Sequence, residues 1–289
     1  MKPEIKSMLA QYDTTSTTAS INALKEIIQE IILSSLSKTD FFDKAAFYGG
    51  TALRIFHNLN RFSEDMVFSL KEVDSNFSMD EYVVFAQQEL NSYGFEMDFS
   101  TKPKQFVSPI KSGFLKGNTL NHLVKVFSMD KPISGVPNNA VISIKIEIDT
   151  NPPRGANYER LYRFLPFNFS ASLFDLPSLF AGKLHALLCR SWQTREKGRD
   201  FYDYVWYLQK GVAININHLE QRMRQTGHWM RELNLSKEAL IDLLNKRFSE
   251  VDYNQVVDDI APFITDLSTL SSYNKEFFIT ITKQYLIVD

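Results

Sequence analysis

One cysteine and no long apolar run set the first limits on this 289-residue chain. Cys189 alone cannot build an internal disulfide, which suits a reducing compartment. It lies in an apolar helical run beside Leu187 and Leu188, where a thiol is buried and inert. No stretch stays apolar for the roughly 20 residues that a membrane-spanning helix needs. The N-terminus lacks a basic segment followed by an apolar signal core. These absences predict a cytoplasmic protein with no membrane partner. The five histidines, His57, His122, His185, His218 and His228, show no ligand spacing with Cys189 or with one another, so no zinc site is expected. An excess of either charge is also missing. With 32 Lys and Arg against 34 Asp and Glu, the net charge of −2 excludes a globally basic nucleic-acid binder and leaves only local contact with RNA.

What is present describes a globular protein with a large aromatic core. Apolar residues make up 44%, with 23 Phe and 12 Tyr, and the length suits one large domain or two ordinary ones. Ile21, Leu24, Ile27, Ile28, Ile31 and Ile32 recur at helical spacing and predict an amphipathic helix from Thr18 to Leu36. Ser78 and Glu81 form a capping-box pattern ahead of a helix to Ser92 that stops at Gly94. Residues 95–99 alternate as a strand. Residues 102–118 carry Lys102, Lys104, Lys111 and Lys116 among prolines and glycines and read as a basic loop or hairpin. Val124 to Phe127 reads as a short strand. The cleanest strand is 141–149, with Ile142, Ile144, Ile146 and Ile148 on one face and Ser143, Lys145, Glu147 and Asp149 on the other. From Asp175 onward the chain reads as mostly helical. The expected division is therefore an α/β domain over 1–174 and a helical domain over 175–289, an α+β protein with a mixed sheet in its N-terminal part.

The chemistry concentrates in two places. Ala45 to Tyr48 is an apolar run that enters Gly49-Gly50, and Thr51 stands near the start of a helix carrying Leu53, Phe56 and His57. A strand, a glycine turn and a helix N-terminus form an anion site, because backbone N–H groups point outward and glycine lets phosphate approach. The chain returns as Arg61-Phe62-Ser63-Glu64-Asp65-Met66-Val67-Phe68, where alternation puts Asp65 and Val67 on one face. The second place is Lys183-Leu184-His185-Ala186-Leu187-Leu188-Cys189-Arg190, followed by Lys197-Gly198-Arg199-Asp200-Phe201-Tyr202-Asp203. Lys183 and Arg190 lie near one helix face, Gly198 permits a close approach, and Asp200 is placed to cap the next helix. Taken singly, these features also fit a core helix and a charged loop.

Together, Gly-Gly-Thr-x-Leu, Arg-x-Ser-x-Asp, Lys-Leu-x-Ala-Leu-x-x-Arg and Lys-Gly-Arg-Asp-Phe-Tyr-Asp resemble the AbiEii-type nucleotidyltransferases, the toxin halves of abortive-infection toxin–antitoxin pairs. The resemblance runs over residues 45–208. It implies a nucleotidyltransferase-like fold whose helical part completes the nucleotide site. It also implies transfer of a nucleotide from an NTP to a tRNA 3′ end or another RNA or protein acceptor with Mg²⁺, and a cognate antitoxin of the transcriptional-regulator type. By resemblance Asp65, Lys183 and Asp200 are catalytic, and Gly49, Gly50, Thr51, Ser63 and Arg190 bind the nucleotide. Asp65 and Glu147 hold the metal, with Asp149 the second choice for Glu147's part, and Asp203 is structural or supports the site from behind. One departure stands out. The family strand carries Asp-x-Asp, and this chain has Val67 at the second position, which implies impaired transfer. An inherited loss and an introduced disarming substitution would both read this way. The alternative is a non-catalytic nucleotide- or RNA-binding protein that acts through a partner.

Overall fold

The computed structural model describes residues 2–101, 108–127, 136–190, 196–230, 232–264 and 266–289. The chain divides into two compact units. The first comprises Met1–Asn58, Phe62–Pro152 and Glu159–Leu173, and the second Leu59–Arg61, Pro153–Tyr158 and Phe174–Asp289.

In the first unit, α1 (Pro3–Leu9) and α2 (Thr17–Leu36) come first. Ser16 starts α2 by accepting from the Ala19 N–H at 3.1 Å, and Leu24, Ile27, Ile28, Ile31 and Ile32 are all buried. There follow α3 (Phe41–Lys44), β1 (Ala45–Tyr48), α4 (Gly50–His57), β2 (Met66–Leu70), α5 (Asp80–Ser92), β3 (Asp98–Thr101), β4 (Ile110–Asn118), α6 (Thr119–Phe127), β5 (Val141–Asp149), β6 (Tyr158–Arg163) and β7 (Phe169–Phe174). The seven strands form one sheet in the order β3-β4-β5-β2-β1-β7-β6. β2 lies antiparallel to β1 and parallel to β5, and β1 lies parallel to β7. The α+β class read from the sequence is what the structure has: a mixed sheet with helices, followed by a mostly helical part. The four isoleucines of β5 are buried, as their alternation requires, and truncating one should cost about 2–5 kcal/mol.

Three local expectations are corrected, and one is narrowed to the alternative that pairs strands. Residues 119–127 form α6, not a strand at 124–127: Asn118 Oδ1 accepts from the Asn121 N–H at 2.9 Å and starts a helix that the β-branched residues alone conceal. Of the two readings of the basic segment, the hairpin is the one observed: residues 110–118 form the nine-residue β4, antiparallel to β3 and, along its whole length, to β5; Lys102 and Lys104 fall outside the described residues. The capping box does not form, since Ser78 Oγ accepts from Asp80 N at 3.2 Å and the helix begins at Asp80 without a side-chain cap. The strand expected at 95–99 starts only at Asp98, because the Phe95 N–H is held by the Leu90 carbonyl at 2.9 Å at the end of α5.

The second unit contains α7 (Leu176–Cys189), α8 (Gly198–Gln209), β8 (Ala213–Ile214), α9 (Ile216–Gln225), α10 (Lys237–Glu250), α11 (Tyr253–Ile260), α12 (Lys275–Tyr285) and β9 (Ile287–Val288). Asp175 caps α7 by accepting from Ser178 N at 2.9 Å, with Pro177 in the first turn. Its core is aromatic: Phe180 stacks on Tyr207 with ring centres 4.3 Å apart, and Phe201, Tyr204, Phe248 and Phe278 are fully buried beside one another. Gly198 opens α8 hard against α11, where a Cβ would stand 1.9 Å from the Val256 carbonyl oxygen, so no larger residue fits.

Candidate active site

In the first unit the glycine turn, β2 and β5 meet. Gly49 has φ +87°, a conformation that glycine adopts without strain, and it leads into the uncapped N-terminus of α4. Space is not what selects glycine here, because a Cβ at 49 would touch Val67 at an ordinary 3.7 Å. That contact places the side chain of residue 67 beside the turn. Across the sheet, Tyr48, Val67, Glu147 and Ser112 are register partners in one row over β1, β2, β5 and β4. Glu147 thus stands on the strand next to β2, level with position 67. Asp149 is level with Ser69, is buried, and its Oδ1 accepts from the Asn151 N–H at 2.9 Å, which makes it a strand-end fixture.

Thr51 and Ser63, expected to touch the nucleotide, are hydrogen-bonded to each other at 2.9 Å, and the buried Thr51 hydroxyl also lies 2.6 Å from the Asp65 carbonyl. From α2, Gln29 Nε2 donates to the Ser63 and Glu64 carbonyls at 3.1 and 2.9 Å, and Lys25 pairs with Glu64 at 2.8 Å. These bonds pin the chain that carries the exposed Asp65 into β2. The side chains of Thr51 and Ser63 therefore hold the backbone in place, and no side chain caps the N-terminus of α4.

A hard cation such as Mg²⁺ asks for an octahedral set of oxygens. Asp65 and Glu147 offer carboxylates, but Val67 between them offers none. Glu147 is already engaged by Lys145 Nζ at 2.7 Å and Ser112 Oγ at 3.1 Å. Among the described residues no third acidic or imidazole group gathers with these two. The residues present do not make the three-carboxylate set that the family resemblance implies.

In the second unit a buried ion cluster surrounds Lys183. Its ammonium lies 2.8 Å from Asp200 Oδ1 and 2.7 Å from Asp203 Oδ2. Arg61 holds Asp203 with a two-pronged pair, Nε to Oδ1 and Nη2 to Oδ2, both 2.6 Å. Asp203 is 0% exposed and Arg61 3%. Burial by itself would raise the Asp203 carboxyl, but the Arg61 guanidinium, and then the Lys183 ammonium, hold it below the ordinary range. Arg61 is pulled the other way: burial lowers it, and the Asp203 charge more than offsets that. Asp200 is not the helix cap read from the sequence. It sits inside the first turn of α8, whose cap residue is Lys197, and its carboxylate goes to Lys183. Arg190 is the exposed C-terminal cap of α7 and makes no part of this cluster. Arg61 was visible in the sequence only as a motif letter, and its pairing with Asp203 across 142 positions was not.

The family model of the nucleotidyl transferase AbiEii toxins of type IV toxin–antitoxin systems matches residues 31–277. The chain belongs to that family. Two solved structures from Helicobacter pylori are similar in outline. One is JHP933, at 15% identity and TM-score 0.48 over 91% of each chain. The other, described as a nucleotidyltransferase, has 16% identity and TM-score 0.49 over 91% of this chain and 93% of that one. No match is found among curated proteins. Among the described residues, no helix is long and apolar enough to cross a membrane.

Proposed function

We propose that this chain is a toxin of the nucleotidyl-transfer type that moves a nucleotide from an NTP onto a tRNA 3′ end or another RNA or protein acceptor, and that Val67 impairs it. The observation that carries this reading is the row in which position 67, beside the Gly49 turn, stands level with Glu147. In the reaction an acceptor oxygen attacks the α-phosphorus, a P–O bond to pyrophosphate breaks, and the acceptor's proton must be taken up. Gly49 and Gly50 would hold phosphate oxygens through backbone N–H groups. Lys183 and Arg190 would neutralise the triphosphate, with Lys183 giving up part of its pairing to do so. Asp200, released as Lys183 turns to phosphate, would be the carboxylate free to orient the acceptor or take its proton. Asp203 stays neutralised by Arg61 throughout, so it positions Lys183 rather than competing for it. We assign no step to Mg²⁺ in the chain as it stands; charge neutralisation by Mg²⁺ belongs to a form with a carboxylate at 67. The partner is a cognate antitoxin of the transcriptional-regulator type, acting in the cytoplasm.

The test is transfer of label from α-labelled NTPs to total RNA or protein, comparing the chain with its Val67→Asp variant with and without Mg²⁺. Labelling by the variant alone, only with Mg²⁺, supports the reading. A folded variant that binds NTP and Mg²⁺ yet labels nothing defeats it. The second reading, a nucleotide- or RNA-binding protein that acts through a partner, is favoured by the engagement of Glu147 with Lys145 and Ser112. It predicts NTP or RNA binding with no transfer in either form.

A further inference from the structure

We propose that His185, Cys189 and His228 form a binding site for a borderline transition-metal ion of the zinc type, separate from the nucleotide chemistry. Among the described residues this is the one group of three such side chains whose ligand atoms lie within 4.8 Å of one another. The expectation that histidines and cysteine share no ligand spacing is thereby overturned. His185 and Cys189 are four apart on α7, so both project from one helix face. The third ligand comes from the turn that ends α9. There Gly227, at φ +76°, lets the His228 N–H reach the Met223 carbonyl at 2.8 Å and its own N–H reach the Arg224 carbonyl at 3.1 Å. This cap fixes where His228 stands.

The rings are also oriented. Thr226 Oγ1 lies 2.9 Å from His185 Nε2 and 2.9 Å from His228 Nδ1, and is itself anchored to the Arg222 carbonyl at 3.0 Å. A single hydroxyl thus holds both imidazoles. The ring centres are 6.3 Å apart with planes at 89°, so the rings do not stack on each other. Two imidazoles and a thiolate suit zinc-type ions and are wrong for Mg²⁺ or Ca²⁺. Three protein ligands leave a fourth position for water on the side of the exposed His228. Binding forms a metal–sulfur bond and releases the thiol proton to solvent. Arg222 lies close enough to act electrostatically on both His185 and Cys189. Burial acts more strongly than Arg222 and pushes the Cys189 thiol up to about 11, so an incoming metal must displace that proton and the site should be weaker than a closed four-ligand structural zinc site.

The test uses the full chain, reduced and stripped of metal, titrated with Co²⁺ as a spectroscopic stand-in for Zn²⁺. We expect a thiolate-to-cobalt charge-transfer band that saturates at one equivalent and disappears when Zn²⁺ is added. Cys189→Ser should abolish the band. His228→Ala, at an exposed position, should melt as the parent does and bind Co²⁺ at least about tenfold more weakly. Absence of the band in the parent chain, or unchanged Co²⁺ affinity in a folded His228→Ala protein, overturns the proposal.

Discussion

Replacing Asp203 by Asn tests whether the ion cluster of the second unit is a structural lock. Asp203 is 0% exposed and receives three charge-assisted contacts, two from Arg61 at 2.6 Å and one from Lys183 at 2.7 Å. Asparagine keeps the shape but removes the negative charge. Arg61, 3% exposed, is then a buried cation facing a neutral amide. Breaking one partner of a buried pair in this way costs about 3–5 kcal/mol. For a unit of this size each kcal/mol moves the melting temperature by about 2–4 °C, so a fall of about 6–20 °C is expected by calorimetry. The pH dependence follows from the depressed Asp203 carboxyl. A carboxyl lowered on folding contributes stability that is fully present above its unfolded value, about 4, and is lost as pH falls through the folded value. Asparagine cannot titrate, so the gap between parent and variant should be full at neutral pH and close in acid. Arg61→Met should cost a similar amount, and Arg61→Met with Asp203→Leu should cost less than the two single changes together, because no charge is then left unpaired. A variant that melts within about 2 °C of the parent, or a gap that does not shrink in acid, would refute the lock.

Three further outcomes are expected. Val67→Asp places a carboxylate one strand spacing from Glu147, and the repulsion should lower stability by about 1–3 kcal/mol without Mg²⁺. Saturating Mg²⁺ at about 100 times its Kd should restore about 2.7 kcal/mol, so thermal melts in which Mg²⁺ leaves the variant unmoved would count against a metal pair there. Lys183→Ala should weaken NTP binding by about 1.5–3 kcal/mol in a calorimetric titration. It also strips Asp200 and Asp203 of a partner, so the titration must run below the lowered melting point, and unchanged affinity removes Lys183 from the site. Asp200→Asn in the Val67→Asp background should abolish label transfer with the circular dichroism spectrum intact; persistent transfer would leave Asp200 only its ion pair with Lys183.

What the sequence showed and what it hid divide along contact range. The alternating isoleucines of β5 and the helical spacing in α2 were legible because burial on one face imposes a period on neighbouring residues. The glycine turn was legible because a left-handed conformation at Gly49 restricts the residue type. Val124 to Phe127 misled because the start of α6 is set at Asn118, several residues before the β-branched stretch that suggested a strand. Asp200 misled for the opposite reason: its local position allows a cap, but the half-buried Lys183, on another helix, takes the carboxylate. A capping hydrogen bond is worth about 1 kcal/mol, less than the cost of leaving the buried Asp200 carboxylate without its cation. The same logic governs Asp203. Its partner Arg61 is 142 positions away, and no local pattern distinguishes an aspartate that will be wholly buried from one that will be solvated. His185 and Cys189 stood at helical spacing in plain view. They gained chemical meaning only when the cap of α9 brought His228 to them, so a ligand set is defined by where chain turns end as much as by the residues that fill it.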